Sequence, residues 1–215
     1  EAGEKVMEAV QALSYRPNRL ARSLRAQKSK VIGLIVSDIR NPFFSEISRA
    51  VETVALESGY TVLICNTDED PKKEALYLDL MAQEKVAGVL LSPTRNSFKE
   101  LTKLGKSFPP LVLVDRKPPE AAFDSVVLDN HDAALKLTRT LLDGGYKRIA
   151  GIFGARSFTA GERLKGFEAA FADCPGKLAG TFRAPAFEEE GERLMTEILA
   201  LKPKVDAIFC SSALL

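Results

Sequence analysis

Apolar residues along this chain fall into two alternating patterns. One is the short continuous run, such as Val31-Ile32-Gly33-Leu34-Ile35-Val36. A β-branched run of this kind predicts a strand buried on both faces of a parallel sheet. The other recurs every three or four residues, as in Phe43, Ile47, Ala50, Val51 and Val54, and predicts an amphipathic helix ending at Ser58-Gly59. Between the two stand Asn41, a good helix N-cap, and Pro42, a good first helical residue.

The unit repeats. Tyr60–Ile64 reads as a strand, and Asp70-Pro71 opens a helix carrying Ala75, Leu78, Leu80 and Met81. Val86–Leu91 reads as a strand, Asn96–Lys106 as a weaker helix, and Leu111–Val114 and Ser125–Leu128 as strands. Asp129-Asn130 caps a helix that runs to Leu142 and closes at Gly144-Gly145. There follow a strand at Ile149–Phe153, a helix at Thr159–Phe171, a weak strand at Gly180–Arg183, a helix at Glu188–Leu201 and a strand at Val205–Cys210. Alternation of this kind predicts an α/β fold of doubly wound parallel sheets. Such sheets bind ligands beyond the carboxyl ends of their strands. The loops to watch are 37–42, 65–71, 92–97, 115–119, 129–131, 154–159 and 211 onward.

With 215 residues, 46% of them hydrophobic, the chain can bury cores for one to two domains without staples. No apolar run approaches the ~18–20 residues of a membrane span. Cys65, Cys174 and Cys210 lie far apart, with no metal-ligand spacing. Cys65 and Cys210 sit in strand-like runs and read as buried thiols, which suits a reducing cytoplasm. His131, the lone histidine, leaves no basis for a histidine-rich metal site. Dinucleotide, P-loop, nucleophile-elbow and zinc-protease motifs are absent. Asp129 beside His131 reads as a helix cap rather than an acid–base pair. Neither a catalytic residue nor a cofactor or metal is predicted.

The net charge of +1 hides an asymmetry. Residues 1–30 hold seven Lys/Arg against three Glu, a surplus of four, and the remainder is mildly acidic. Arg16, Arg19, Arg22 and Arg25 recur every third residue, with Leu20 and Leu24 one helical turn apart. Two readings fit: a solvated basic linker, or a short helix for a DNA minor groove, with arginines on phosphates and a leucine wedged between bases. Ahead of it, Val6, Ala9, Val10 and Leu13 mark one amphipathic helix with nothing in this chain to pack on. The opening residues are not a secretory signal. The missing initiating Met and the stop just after a strand lead us to expect a chain cut at both ends.

Several stretches resemble the lactose-repressor (LacI/GalR) family of bacterial transcription regulators. They are Ala2-Gly3-Glu4-Lys5-Val6, Leu13-Ser14-Tyr15-Arg16-Pro17-Asn18, Leu20-Ala21-Arg22-Ser23-Leu24 and Val31-Ile32-Gly33-Leu34-Ile35. Further along come Asn41-Pro42-Phe43-Phe44, Val114-Asp115-Arg116, Gly144-Gly145-Tyr146-Lys147-Arg148-Ile149 and Arg163-Leu164-Lys165-Gly166-Phe167. The resemblance covers essentially the whole chain in order. It implies a remnant of a helix-turn-helix headpiece over residues 1–16 and a hinge helix and linker over 17–30. It then implies a periplasmic-binding-protein-like core with an N-terminal subdomain over 31–128 and an incomplete C-terminal subdomain over 129–215.

Functional residues follow from the same resemblance. Hinge positions that match DNA-facing ones are Asn18, Ala21, Arg22, Leu24 and Arg25, Leu24 being the inserted leucine. Effector positions are matched by Phe43, Phe44, Ser92, Asp115, Thr159, Arg163 and Phe187. The chain departs from the pattern at Ser212-Ala213, where many members have Asn-Asp. The loops also hold Arg40, Arg95, Arg116, Arg156 and Arg163, which points to an anionic effector such as a sugar acid or phosphosugar. The implied protein is a cytoplasmic homodimeric repressor of palindromic operator DNA, controlled by a sugar or sugar acid in the cleft. A solute-binding protein with the same core is the alternative, and it predicts a signal peptide and no basic hinge.

Overall fold

The computed structural model describes residues 2–13, 29–95, 97–117, 123–155, 158–172, 178–185 and 188–215. An isolated helix, α1 (Ala2–Ala12), comes first, with Met7 and Leu13 exposed. The expected hinge helix lies outside the described residues. From Val31 the chain forms two parallel sheets.

The first sheet contains β1 (Val31–Val36), β2 (Thr61–Asn66), β3 (Gly88–Leu91), β4 (Leu111–Val114) and β5 (Asp124–Val126). Its order is β2-β1-β3-β4-β5, all parallel. Three helices connect these strands: α2 (Pro42–Glu57), α3 (Pro71–Gln83) and the short α4 (Phe98–Leu101). The second sheet has order β7-β6-β8 and is built from β6 (Ile149–Gly154), β7 (Leu178–Ala184) and β8 (Ala207–Cys210). Its helices are α5 (Asn130–Asp143), α6 (Phe158–Ala169) and α7 (Glu188–Ala200). In each sheet the first strand lies centrally, the second pairs on one side and the third on the other. The winding therefore reverses beside β1 in one sheet and beside β6 in the other, which is where open α/β sheets bind ligands.

Strand alternation assigns the cores. Leu34 and Val36 point to one face and pack with Phe44, Ile47 and Val51 of α2. Ile35 points to the other, among Leu78 and Met81 of α3 with Leu91 and Leu113. In the second sheet Ile149 and Phe153 pack with Leu164 and Phe167 of α6, while Ala150 and Ile152 pack with Leu194 and Ile198 of α7. Each cluster draws its residues from one half of the chain.

Caps follow the sequence closely. Asn41 accepts a hydrogen bond from the Phe43 N–H, Asp70 from Lys72 and Asp129 from Asp132. Asp129 is thus occupied as a cap. The expected helix over 96–106 shortens to the single turn of α4, followed by turns through Thr102, Lys103 and Gly105–Ser107. Cys65 is buried as expected, and burial pushes its thiol pKa up. Cys210 corrects the expectation: it is exposed at the carboxyl end of β8. Cys174 lies outside the described residues.

The approach of α5 and α6 depends on Gly166. A Cβ there would lie 2.0 Å from the His131 carbonyl oxygen, so only glycine permits this spacing. It sets the height at which α6 carries Arg163.

Candidate functional site

A cavity of about 980 Å³, lined by apolar surface and charged side chains, lies between the carboxyl edges of the two sheets. Its lining comes from the loops after β1, β2, β3 and β4 on one side and after β6, β7 and β8 on the other.

On the first side, Asn41 caps α2 and so brings Phe43 and Phe44 to the cavity edge. Phe44 is mostly core and meets Phe43 edge-on at 5.1 Å. The central group of this side is Arg116, whose side chain is only 6% exposed. Its Nε donates to Asp115 Oδ2 at 3.2 Å and its Nη1 to Glu69 Oε2 at 2.9 Å and the Pro93 carbonyl at 3.2 Å. Its Nη2 donates to Glu69 Oε1 at 2.5 Å and Ser37 Oγ at 3.2 Å. One guanidinium therefore ties together the loops following four adjacent strands. Burial alone would lower the Arg116 pKa. Hydrogen bonding and charge from Glu69, with the Asp115 charge, outweigh it and raise the value.

Backbone strain gathers at the same edge. Asp68, Glu69 and Asp115 all have left-handed φ, at 51°, 59° and 70°. Aspartate tolerates that region better than most residues, and glutamate gains little there. These strained positions aim carboxylates at the cavity. Burial raises the Asp115 pKa, opposed by the charges of Arg116 and Arg163.

On the second side, Thr159 and Arg163 of α6 both line the cavity. Arg163 Nε donates to Asn130 Oδ1 at 2.8 Å, and its Nη1 donates to the Ser211 carbonyl at 2.6 Å. Among the described residues no carboxylate lies within ion-pair distance of it. Burial lowers its pKa, opposed by the charge of Asp115 across the cavity.

Among the described residues, the buried hydroxyls of Ser92 and Ser211 have no protein partner. Thr94 and Ser211 line the cavity, and Ser92 does not. Ser92 and Ser211 occupy equivalent places, each just after the third strand of its sheet. Ser92 donates its N–H to the Ile35 carbonyl at 2.8 Å, and Ser211 donates its own to Ile152 at 2.9 Å.

The structure therefore brings Phe43, Phe44, Asp115, Thr159 and Arg163 to one cavity. Ser92 is 1% exposed and does not line the cavity, whereas Thr94, two residues on, does. Phe187 and the hinge residues Asn18, Ala21, Arg22, Leu24 and Arg25 lie outside the described residues. The cationic bias expected from the loop arginines is offset. Arg40 pairs with Asp38 at 2.8 Å, Arg116 pairs with Glu69 and Asp115, and Arg156 is not described. Among the described lining residues, Asp38, Asp68, Glu69 and Asp115 balance Arg40, Arg95, Arg116 and Arg163.

Sequence reasoning counted Arg116 among the loop arginines without foreseeing its ties, and it missed Glu69 and Glu74 as contributors. Glu74 is 1% exposed and accepts from the Thr94 N–H at 2.5 Å, fixing the loop after β3. Its burial raises its pKa, against hydrogen bonds from Ser97 and Thr94.

Two α/β halves with a charge-bearing cavity between their carboxyl edges define a core of the periplasmic-binding-protein type. The chain belongs to the LacI/GalR family: residues 29–215 match the family described as periplasmic binding proteins and sugar binding domain of LacI family. It is 38% identical over 214 residues to the ribose operon repressor of Halalkalibacterium halodurans, covering 99% of this chain and 63% of that protein. It is 32% identical over 216 residues to the transcriptional repressor PurR of Mannheimia succiniciproducens, covering 98% and 64%. The crystal structure of the Cra transcriptional dual regulator from Pseudomonas putida, in complex with fructose 1-phosphate, superposes with a TM-score of 0.74. That match is 27% identical and covers 86% of this chain and 70% of that one. The chain thus spans just under two thirds of the length of the repressors it matches. Among the described residues no helix is long and apolar enough to cross a membrane.

Proposed function

We propose that this chain is the effector-binding part of a cytoplasmic DNA-binding transcription repressor. A small polyhydroxylated molecule, a sugar or sugar acid, binds in the cavity through Asp115, Arg163, Thr159 and Thr94, with Phe43 and Phe44 at its edge and Arg116 fixing the loops that carry them. The observation that carries this reading is that Asp115 and Arg163 line the cavity from opposite halves, with the buried Ser211 hydroxyl beside them. A carboxylate accepts from sugar hydroxyls, a guanidinium donates to two oxygens at once, and a serine or threonine hydroxyl does both. Kinship with a ribose operon repressor supports a sugar over a purine.

Residues 129–215 form the second subdomain, and residues 17–30 the hinge. Two copies dimerise and set their hinge segments, with Leu24 and Arg22, on a palindromic operator. Effector that binds both subdomains changes the angle between them and so the separation of the hinges.

Thermal-shift screening of sugars, sugar acids and nucleobases tests the ligand. Gel shifts with the full-length protein, with and without the hit, test the coupling at stated salt. A stabilising sugar that alters operator affinity supports the reading. Stabilisation by a nucleobase alone, or by no compound, overturns it.

A further inference from the structure

Arg116 is the most completely engaged cation of the cavity, and Glu69 holds it. The Glu69 carboxylate meets both terminal nitrogens of the guanidinium, at 2.5 and 2.9 Å, in the fork geometry that an anionic ligand would use. Nothing in the local chain requires an acid at this place. Glu69 sits in a strained left-handed conformation, between Asp68 and the cap Asp70, and its side chain remains 43% exposed toward the cavity. Strain kept at a cavity wall points to a role there rather than to folding.

Resting on the effector reading above, we propose that Glu69 is the residue that sets the charge specificity of the site. It serves as the built-in counter-ion of Arg116 and selects uncharged polyhydroxylated effectors over their carboxylate or phosphate forms. An incoming carboxylate or phosphate meets a guanidinium whose two donors are already taken by a like charge. Binding there means displacing Glu69 or lying beside it, and both are unfavourable. A neutral hydroxyl faces neither penalty. It can accept from Arg163 and donate to Asp115. Asp38 holds Arg40 through its Nε and one terminal nitrogen and so neutralises it. That leaves Arg95, exposed at the cavity, and Arg163, which feels the charge of Asp115.

The test compares matched pairs by calorimetry on the chain as it stands: pentoses and hexoses, each against its aldonic acid and its phosphate ester. Wild type is expected to bind at least one free sugar at least about tenfold more tightly than its charged forms, allowing for solvent screening of the half-exposed carboxylate. Glu69→Gln keeps the length and an acceptor but removes the charge. It should tighten binding of the acid or phosphate about tenfold while leaving the free sugar within threefold, on the same screened-charge scale. Glu197→Gln, on the surface of α7, has the same effect on net charge and should change neither. A wild type that prefers a charged form overturns the proposal without touching the effector reading. So does a folded Glu69→Gln variant with unchanged selectivity. A wild type that binds no sugar in any form overturns both. The wild-type comparison decides the matter even if the variant fails to fold.

Discussion

The Ser211 carbonyl, just beyond β8, accepts a 2.6 Å hydrogen bond from Arg163 on α6. The same guanidinium holds Asn130 at the start of α5. Arg163 thus couples three elements of the second half and still faces the cavity. Arg163→Lys keeps the charge but loses the planar fork. Calorimetry against the best sugar should show at least about a tenfold loss of affinity, the value of one charge-assisted hydrogen bond. Unchanged affinity would remove Arg163 from the site.

Arg116 ties four loops of the first half. Arg116→Ala leaves the buried Asp115 carboxylate without its partner, while Glu69 is eased by solvent. The expected cost is about 3 kcal/mol in urea unfolding, most of it from the Asp115 side. A loss below about 1 kcal/mol would mean that water replaces the guanidinium there.

Glu74 supplies a pH signature. Burial raises its pKa in the folded state, so folding favours the protonated acid. Its contribution is fully present below the unfolded value and is lost as pH rises through the folded one. Glu74→Gln should therefore gain in stability relative to wild type between about pH 4 and pH 8, a span that starts at the unfolded value. Urea unfolding at both values measures the difference, and a flat difference would refute the assignment.

Two glycines of α6 should respond in opposite directions. Gly166→Ala drives a methyl into the His131 carbonyl and should cost about 1–3 kcal/mol, the range for overpacking. Gly161→Ala meets nothing within 4 Å and should stabilise by about 0.5–1 kcal/mol, through helix propensity alone. Thermal melts of the two variants check the contrast.

Much of the fold was legible because its signals are local. The Asn41-Pro42 and Asp70-Pro71 caps, and the alternation of Leu34, Ile35 and Val36, each act within a few residues. Six of the seven loops singled out by the strand-end rule line the cavity; 129–131 does not, and Pro185, from a loop not singled out, does. What escaped was non-local. Arg116 meets Glu69, 47 residues away in sequence, and no spacing rule pairs them. Glu74 reads as a polar residue in the first turn of α3 and is buried only because the loop carrying Thr94 folds over it. Ser92 and Thr94 share a strand-end loop, and only the path of the chain after β3 decides which of them reaches the cavity.

The apolar clusters respect the boundary between the halves: Leu34, Ile35 and their neighbours in one, Phe153, Ile198 and theirs in the other. Turning one half against the other would therefore unpack neither core, and on the proposed reading the work falls on charges such as Asp115 and Arg163 that line the cavity from opposite halves. Asp115 is only 7% exposed, and salt screens buried charges far less than exposed ones. A coupling carried by such charges would hold its strength over the range of ionic strength that weakens surface ion pairs.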